Sequence, residues 1–245
     1  KDNSASQDSF ELSQDTKLVA PGDAKDAAEL FAAQARVSTG YPLPVVDSGE
    51  ASGNITFKTG AVAGHSGDEA YALTSTKSGV TITANAAHGF FNATQTLRQL
   101  LPGFINSKYP VYAAWEVPAV EIKDSPRYAY RAIMLDPARS FLTVDEVKHV
   151  LDQMASLKMS YLHFHLADDQ GWRIEITNEG RAEGDTIDYT RLTGVSGRTA
   201  MNMHDKAKSN EVGRTGYYTQ AQYKEIVAYA AARHITLVPE IDLPG

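Results

Sequence analysis

The chain has 245 residues, which is enough for one large domain or two ordinary ones, and 42% of them are hydrophobic, which is enough for sizeable cores. Its 30 acidic and 23 basic residues give a formal charge of −7, and the sequence has no cluster of Lys and Arg, so a nucleic-acid surface is disfavoured. Cysteine is absent, which excludes disulfide scaffolds, thiolate zinc sites and cysteine nucleophiles, and no apolar run is long enough for a membrane span.

Residues 1–9 are polar and lack the apolar core of a signal peptide, so they predict a flexible lead-in. Such a segment is compatible with what remains after a signal or an anchor is removed. We therefore expect an extracellular or cell-surface location.

Residues 10–125 predict a small α+β domain with an antiparallel sheet, because short β-branched or alternating runs are separated by Gly and Ser and accompany two helices. The strands are predicted over Thr16–Ala20, Asn54–Lys58, Ala70–Ser75 and Val80–Ala84. The helices are predicted over Asp23–Ser38 and Phe90–Leu101, with Leu97, Leu100 and Leu101 on one face of the second. No group of residues in this region has the spacing of a catalytic constellation.

A linker is predicted over Val117–Pro126, and residues 126–245 then alternate strands with helices, which indicates a parallel sheet. The strands are predicted over Tyr130–Leu135, Ser160–Leu166 and Ile235–Val238. Two helices begin at capping boxes, in which Thr143 pairs with Glu146 and Thr219 with Gln222. The predicted buried faces of these helices are Val147, Val150, Leu151, Met154 and Leu157 in the first, and Tyr223, Ile226, Val227 and Ala230 in the second.

Polar residues follow the carboxyl ends of the three strands, at 136–139, 168–173 and 240–242. A (β/α)8 TIM barrel assembles its active site at this edge, whereas a nucleotide-binding doubly wound sheet would need a phosphate loop, which the sequence lacks. We therefore predict a TIM barrel preceded by the small α+β domain. Only about the first three strands are present and a barrel takes roughly 250 residues, so we expect the chain to be one piece of a longer polypeptide.

Three segments together resemble glycoside hydrolase family 20, which comprises β-N-acetylhexosaminidases and lacto-N-biosidases: Met134–Arg139, Leu162–Arg173 and His234–Gly245. The resemblance implies retaining hydrolysis that is assisted by the substrate. The 2-acetamido oxygen attacks C1, a glutamic acid protonates the leaving oxygen, and a neighbouring aspartate orients the acetamido group. It implies an N-acetylhexosamine-containing glycan as the partner, and neither a metal nor an organic cofactor.

The resemblance assigns roles to two residues. Arg139 corresponds to the arginine that binds the outer hydroxyls of the terminal sugar, a task that suits the rigid fork of guanidinium donors. Asp168 corresponds to an aspartate that holds a histidine, which in turn contacts the catalytic acid. In the family this histidine follows a Pro-Gly pair like Pro244-Gly245, so we expect it beyond this chain. Ser140 stands where many members have histidine, a departure that leaves the arginine assignment intact.

Six further positions are candidates for the site or its surroundings. Asp169 is expected to bind substrate beside Asp168. Glu240 and Asp242 alternate along a strand end and should therefore face the sugar site together, although a structural ion pair is an equal alternative. Trp172 is expected to pack. His163 and His165 share a face and are expected to be polar groups of the core; as an alternative, they are ligands with Asp168 and Asp169 in a metal-dependent hydrolase.

The family's catalytic acid lies in a Gly-Gly-Asp-Glu motif that this chain does not contain. Asp68-Glu69 lies in a glycine-rich segment and Asp145-Glu146 in a helix cap, so neither can replace it. We expect the chain alone to be inactive and to need the remainder of the barrel. A lacto-N-biosidase that releases a disaccharide and a non-catalytic carbohydrate-binding fragment remain alternatives. The segment Arg181–Gly216, with Met201–His204, is expected to shape the rim of the pocket.

Overall fold

The computed structural model describes residues 8–201 and 213–243, and the chain divides into two compact units, residues 1–128 and 129–245. Most of the predicted lead-in, residues 1–7, lies outside the described part. No helix within the described ranges is long and apolar enough to cross a bilayer.

The first unit is built on a six-stranded sheet with the order β3-β2-β4-β6-β5-β8, and β1 pairs with β7 beside it. Helices α1 and α2 pack against each other, and α2 also contacts β5 and β6. The bounds of its elements are β1 Phe10–Glu11, β2 Leu18–Val19, α1 Lys25–Thr39, β3 Val45–Val46, β4 Ile55–Thr59, β5 Tyr71–Thr76, β6 Gly79–Ala84, α2 Ala87–Leu100, β7 Glu116–Val117 and β8 Val120–Asp124, with 3₁₀ turns at Gly22–Ala24 and Gly103–Asn106.

Two sequence predictions for this unit are wrong. The sheet is mixed, not antiparallel: β3, β2, β4 and β6 run parallel, and only β5 is antiparallel to its neighbours. Alternating apolar residues are alike in both kinds of strand, so the pattern could not reveal direction, which the connections decide. The segment Val117–Pro126 is not a linker, because β8 lies within it and pairs with β5. Leu97 and Leu101 are buried as predicted, whereas Leu100 is only half-buried.

The second unit has three parallel strands, with β10 paired to both β9 and β12, and a short strand β11 antiparallel to β10. Helix α3 connects β9 to β10, and α5 leads into β12, which is the alternation expected of a βαβ fold. The bounds are β9 Ala132–Leu135, α3 Val144–Ser156, β10 Tyr161–Asp168, β11 Gly171–Trp172, α4 Arg191–Ser196, α5 Gln220–Ala231 and β12 Thr236–Ile241.

Both predicted capping boxes are present, at Thr143 and at Thr219. The predicted buried faces are correct at Val147, Leu151, Met154, Ile226 and Ala230, whereas Val150 and Tyr223 are only half-buried. Leu157 is 67% exposed because it is the C-cap residue of α3, with φ of −99°, and so leaves the helical face. Val227 is 41% exposed, since the buried face of α5 centres on Ile226 and Ala230.

The guanidinium of Arg173 is fully buried and donates hydrogen bonds to main-chain carbonyls of two loops. Nε donates to Pro137 O at 2.8 Å and Nη2 to Ala138 O at 2.7 Å, both in the loop after β9. The same group reaches Thr199 O at 2.7 Å and Gly216 O at 3.0 Å in the long segment after β11. One buried side chain therefore joins both loops.

The position of this guanidinium also explains a glycine. A Cβ atom at Gly171 would lie 2.3 Å from Nη2 of Arg173 and 2.9 Å from Ala138 O, so any side chain there would displace the guanidinium. The absence of a side chain at Gly171 therefore leaves room for the Arg173 guanidinium that joins the two loops.

We expect Arg173→Met to lower the free energy of unfolding by about 3 kcal/mol or more, because it leaves several buried carbonyls without a donor. Urea unfolding followed by circular dichroism measures this loss. Arg198→Met, at an exposed position, is the matched control and should change stability by less than about 0.5 kcal/mol. Equal stability of the two variants would contradict the role given to Arg173.

We expect Thr219→Ala to destabilise the fold by about 1 kcal/mol, since Thr219 Oγ1 accepts the Gln222 amide at 3.2 Å and caps α5. The same unfolding measurement applies, with Thr215→Ala at an exposed loop position as the control. A loss no larger than that of the control would show that the cap adds nothing to stability.

Candidate functional site

The carboxyl ends of β9, β10 and β12 bring a network of charged side chains together. Asp136 and Arg139 follow β9, His165 and Asp168 lie at the end of β10, and Glu240 lies on β12. The register of the parallel pair aligns His165 with Glu240, which places these two side chains next to each other. Parallel strands end at one edge of the sheet, so these residues meet although they are far apart in the chain.

Arg139 is held by two carboxylates. Its Nη1 donates to Asp136 Oδ2 at 2.8 Å, and its Nη2 donates to Asp168 Oδ2 at 2.6 Å. Asp136 Oδ1 also accepts the main-chain amide of Arg139 at 3.1 Å, which fixes the turn that carries the side chain. The side chain remains 37% exposed. Arg139 is therefore oriented by ion pairs and still accessible to a ligand.

Asp168 is an anchored anion. Its Oδ1 accepts the main-chain amide of Asp169 at 2.7 Å, and its Oδ2 is 2.9 Å from His165 Nε2. The pKa of Asp168 is lowered to about 2, chiefly by the hydrogen bond from the Asp169 amide and then by that with His165. The Arg139 charge contributes further. Asp168 is thus ionised at neutral pH and suits an orienting role rather than that of a general acid. The side chain of Asp169, the next residue in the chain, is exposed.

Glu240 faces both histidines of β10. Its Oε2 lies 2.6 Å from His163 Nε2 and 2.9 Å from His165 Nδ1, and it makes no hydrogen bond of regular geometry with either ring. Interaction with His165 is the main reason that the pKa of Glu240 is lowered. The side chain of His165 is buried, whereas that of His163 is 38% exposed. Both roles predicted for Glu240, in the sugar site and in a structural ion pair, stay predictions.

Asp242 joins this edge through a second grouping. His165, Asp168 and Asp242 offer possible ligand atoms within 4.8 Å of one another. The Arg139 guanidinium already lies 2.6 Å from Asp168 Oδ2, and its positive charge opposes a cation there. Among the described residues this grouping contains neither His163 nor Asp169, which the metal-dependent hydrolase alternative requires.

The remaining candidates lie around this network. Trp172 is half-buried and donates from Nε1 to Ile174 O at 2.7 Å, which agrees with a packing role. Ser140 Oγ accepts the main-chain amide of Arg214 at 3.3 Å. The segment 181–216 contains the unpredicted helix α4, and its residues 202–212 lie outside the described part, as does Pro244-Gly245.

Asp136 and Arg173 lie within the predicted polar strand ends, but the sequence by itself assigned no role to either. Asp136 was signalled by its position three residues before Arg139 within the same turn. The partners of Arg173 could not be found from the sequence, because they are carbonyl groups, which every residue possesses, and one of them, Gly216 O, lies more than forty positions away.

Comparison with protein families supports this description of the fold. The profile of glycosyl hydrolase family 20, catalytic domain, matches residues 128–245, and that of glycosyl hydrolase family 20, domain 2, matches residues 2–125. The two profiles therefore follow one another along nearly all of the chain.

Relatives agree with the profiles. A β-hexosaminidase of Porphyromonas gingivalis is 40% identical over 241 residues, which is 98% of this chain and 29% of that protein. The structure of the Streptomyces plicatus N-acetyl-β-hexosaminidase in complex with Thio-NAglucal has a TM-score of 0.83 at 41% identity, covering 97% of this chain and 43% of that one. A mutant of the same enzyme, in complex with its product GlcNAc, has the same TM-score.

This chain thus spans less than half the length of either relative. The predicted fold class, a partial TIM barrel preceded by a small α+β domain, is confirmed by the match of these structures over both parts. Two successive family profiles, the similar folds and the three strand-end segments lead to one conclusion: the chain belongs to glycoside hydrolase family 20.

Proposed function

We propose that this chain is the first part of a β-N-acetylhexosaminidase, which hydrolyses terminal β-linked N-acetylhexosamine from oligosaccharides or glycans. The observation that carries the proposal is the Arg139–Asp168 pair at the strand ends of a family 20 barrel. Relatives named β-hexosaminidase support it, as does a related enzyme in complex with GlcNAc.

The geometry gives each residue a task in such a reaction. Arg139 presents a partly exposed guanidinium whose direction is fixed by Asp136 and Asp168, so its free donors can bind neighbouring sugar hydroxyls. Asp168 stays anionic and can accept a hydrogen bond from the histidine that contacts the acid. Preorganised charges of this kind stabilise a transition state without reorganising during the reaction.

We propose the mechanism of the family, in which the substrate's own 2-acetamido oxygen attacks C1 and the configuration is retained. The glutamic acid that protonates the leaving oxygen, and the aspartate beside it, would come from the remainder of the barrel. The chain itself would supply sugar binding and the orientation of that acid. The extracellular or cell-surface location stays a prediction.

In the full-length protein, Arg139→Met should raise KM for a chromogenic N-acetylglucosaminide by about tenfold to hundredfold, which corresponds to the loss of charged hydrogen bonds worth about 1.5–3 kcal/mol. Steady-state kinetics measures this change. Lys224→Met removes a positive charge at an exposed position of α5 and should leave KM unchanged. Unchanged KM in Arg139→Met would contradict the assignment.

The isolated 245-residue chain should not release sugar from the same substrate, because it contains no Gly-Gly-Asp-Glu acid. The full-length protein should release it, and chromatography of the products distinguishes a monosaccharide from the disaccharide of a lacto-N-biosidase. Clean turnover by the purified chain would show that the acid lies within these residues after all.

A further inference from the structure

The imidazole of His165 lies between two carboxylates. Its Nε2 is 2.9 Å from Asp168 Oδ2, and its Nδ1 is 2.9 Å from Glu240 Oε2. The ring is 4% exposed, so water cannot replace either contact. Glu240 Oε2 is itself buried and makes no straight hydrogen bond. Both ring nitrogens therefore face negative oxygen atoms in a poorly hydrated place.

A neutral imidazole does not fit this arrangement. It carries one N–H group, and the other nitrogen presents a lone pair. Either tautomer would thus place a lone pair 2.9 Å from a carboxylate oxygen. A proton on Asp168 does not relieve the repulsion, because the Asp169 amide, the largest cause of the lowered pKa of Asp168, is present whatever the charge of the ring. A proton on Nε2 satisfies the hydrogen bond to Asp168, and a second proton on Nδ1 gives the ring a positive charge beside the Glu240 carboxylate, 2.9 Å away, with which Nδ1 makes no hydrogen bond.

One competing arrangement exists. Arg139 Nη1 lies 3.4 Å from His165 Nε2, and it could donate to a lone pair there. That contact is longer than the 2.9 Å to Asp168, and the Arg139 guanidinium already donates to Asp136 and Asp168. The shorter contact favours a proton on Nε2.

The charges around the ring also favour an imidazolium. The groups that face it are Asp168 at the end of β10, Glu240 and Asp242 from β12, Asp136 and Arg139 from the loop after β9, and His163 across Glu240. Carboxylates outnumber cations in this set. Burial by itself would lower the pKa of His165, but the contacts with Glu240 and Asp168 outweigh it and raise the pKa above its ordinary value.

We propose that His165 is a doubly protonated imidazolium that positions Asp168 and Glu240, and through Asp168 the sugar-binding Arg139, so that sugar affinity falls when His165 loses its proton. Only the part of this inference that concerns sugar affinity rests on the proposed function. His165 is a positioning residue, because its effect on the sugar passes through Asp168 and Arg139.

The direction of the pH dependence follows from the raised pKa. The positioning of Asp168 and Glu240 by charged His165 is fully present below the ordinary imidazole pKa of 6.5. It is lost as pH rises through the higher pKa that His165 has in the folded protein. Above that pKa, Nδ1 or Nε2 loses its proton and repels the carboxylate it faces. Asp168 is then held by one cation, Arg139, instead of two, so the positions of Asp168 and of the Arg139 fork are less fixed.

The first test is the protonation state itself, read by neutron diffraction from crystals of the deuterated full-length protein grown near pH 6. We expect deuterium on both Nδ1 and Nε2 of His165. Deuterium on only one of the two nitrogens, whichever it is, overturns the proposal. This measurement needs neither a substitution nor turnover, so it is independent of whether the protein is a hexosaminidase.

The second test is GlcNAc binding by titration calorimetry from about pH 5 to about pH 9, the range in which imidazole titrates. We expect the wild-type Kd to rise by about tenfold across one titration step, as expected when a charged hydrogen bond is lost. His165→Gln, which is neutral throughout, should bind weakly at every pH and show no step.

Two further variants sharpen the second test. Glu240→Gln removes the charge that faces Nδ1 and should move the step to lower pH by about one unit or more. His149→Gln, at an exposed position of α3, is the matched control and should keep the wild-type step. A step that persists in His165→Gln overturns the proposal. If the wild type binds no GlcNAc at any pH, the proposed function fails, and the neutron result still decides the charge of His165.

Discussion

The Asp168 carboxylate is the contact on which the site depends. A single oxygen, Oδ2, lies within 2.9 Å of His165 and 2.6 Å of Arg139, and the other oxygen accepts a main-chain amide. The end of β10 and the loop after β9 are thereby joined at one carboxyl group. Its low pKa follows from these same partners, so geometry and charge are set together.

This arrangement is possible because its charges are paired before any ligand arrives. Arg139 lies between Asp136 and Asp168, and His165 lies between Asp168 and Glu240, so that Asp168 is shared by both. A partly exposed guanidinium that is already oriented loses little freedom on binding a sugar, which favours affinity. The network therefore prepares the edge of the sheet for a polar ligand.

The loops that carry these residues are held by a different principle. Arg173 carries a charge into the interior, but it is surrounded by carbonyl oxygens instead of carboxylates. The planar fork of the guanidinium can serve several carbonyls at once, which a lysine ammonium would do less completely. Gly171 leaves the space that this fork occupies. These four contacts, 2.7–3.0 Å long, join the two loops through one side chain.

The sequence by itself determined the features that depend on neighbouring residues: the two capping boxes, the helical faces around Val147 and Ile226, and the polar strand ends. The residues of the three strand-end segments were also sufficient to indicate the family. Only the tertiary structure decided the direction of β2, β4 and β6, the pairing of β8, the alignment of His165 with Glu240, and the carbonyl partners of Arg173. These features join positions that are far apart in the chain, and their geometry is set by packing and register, which no local pattern of residues encodes.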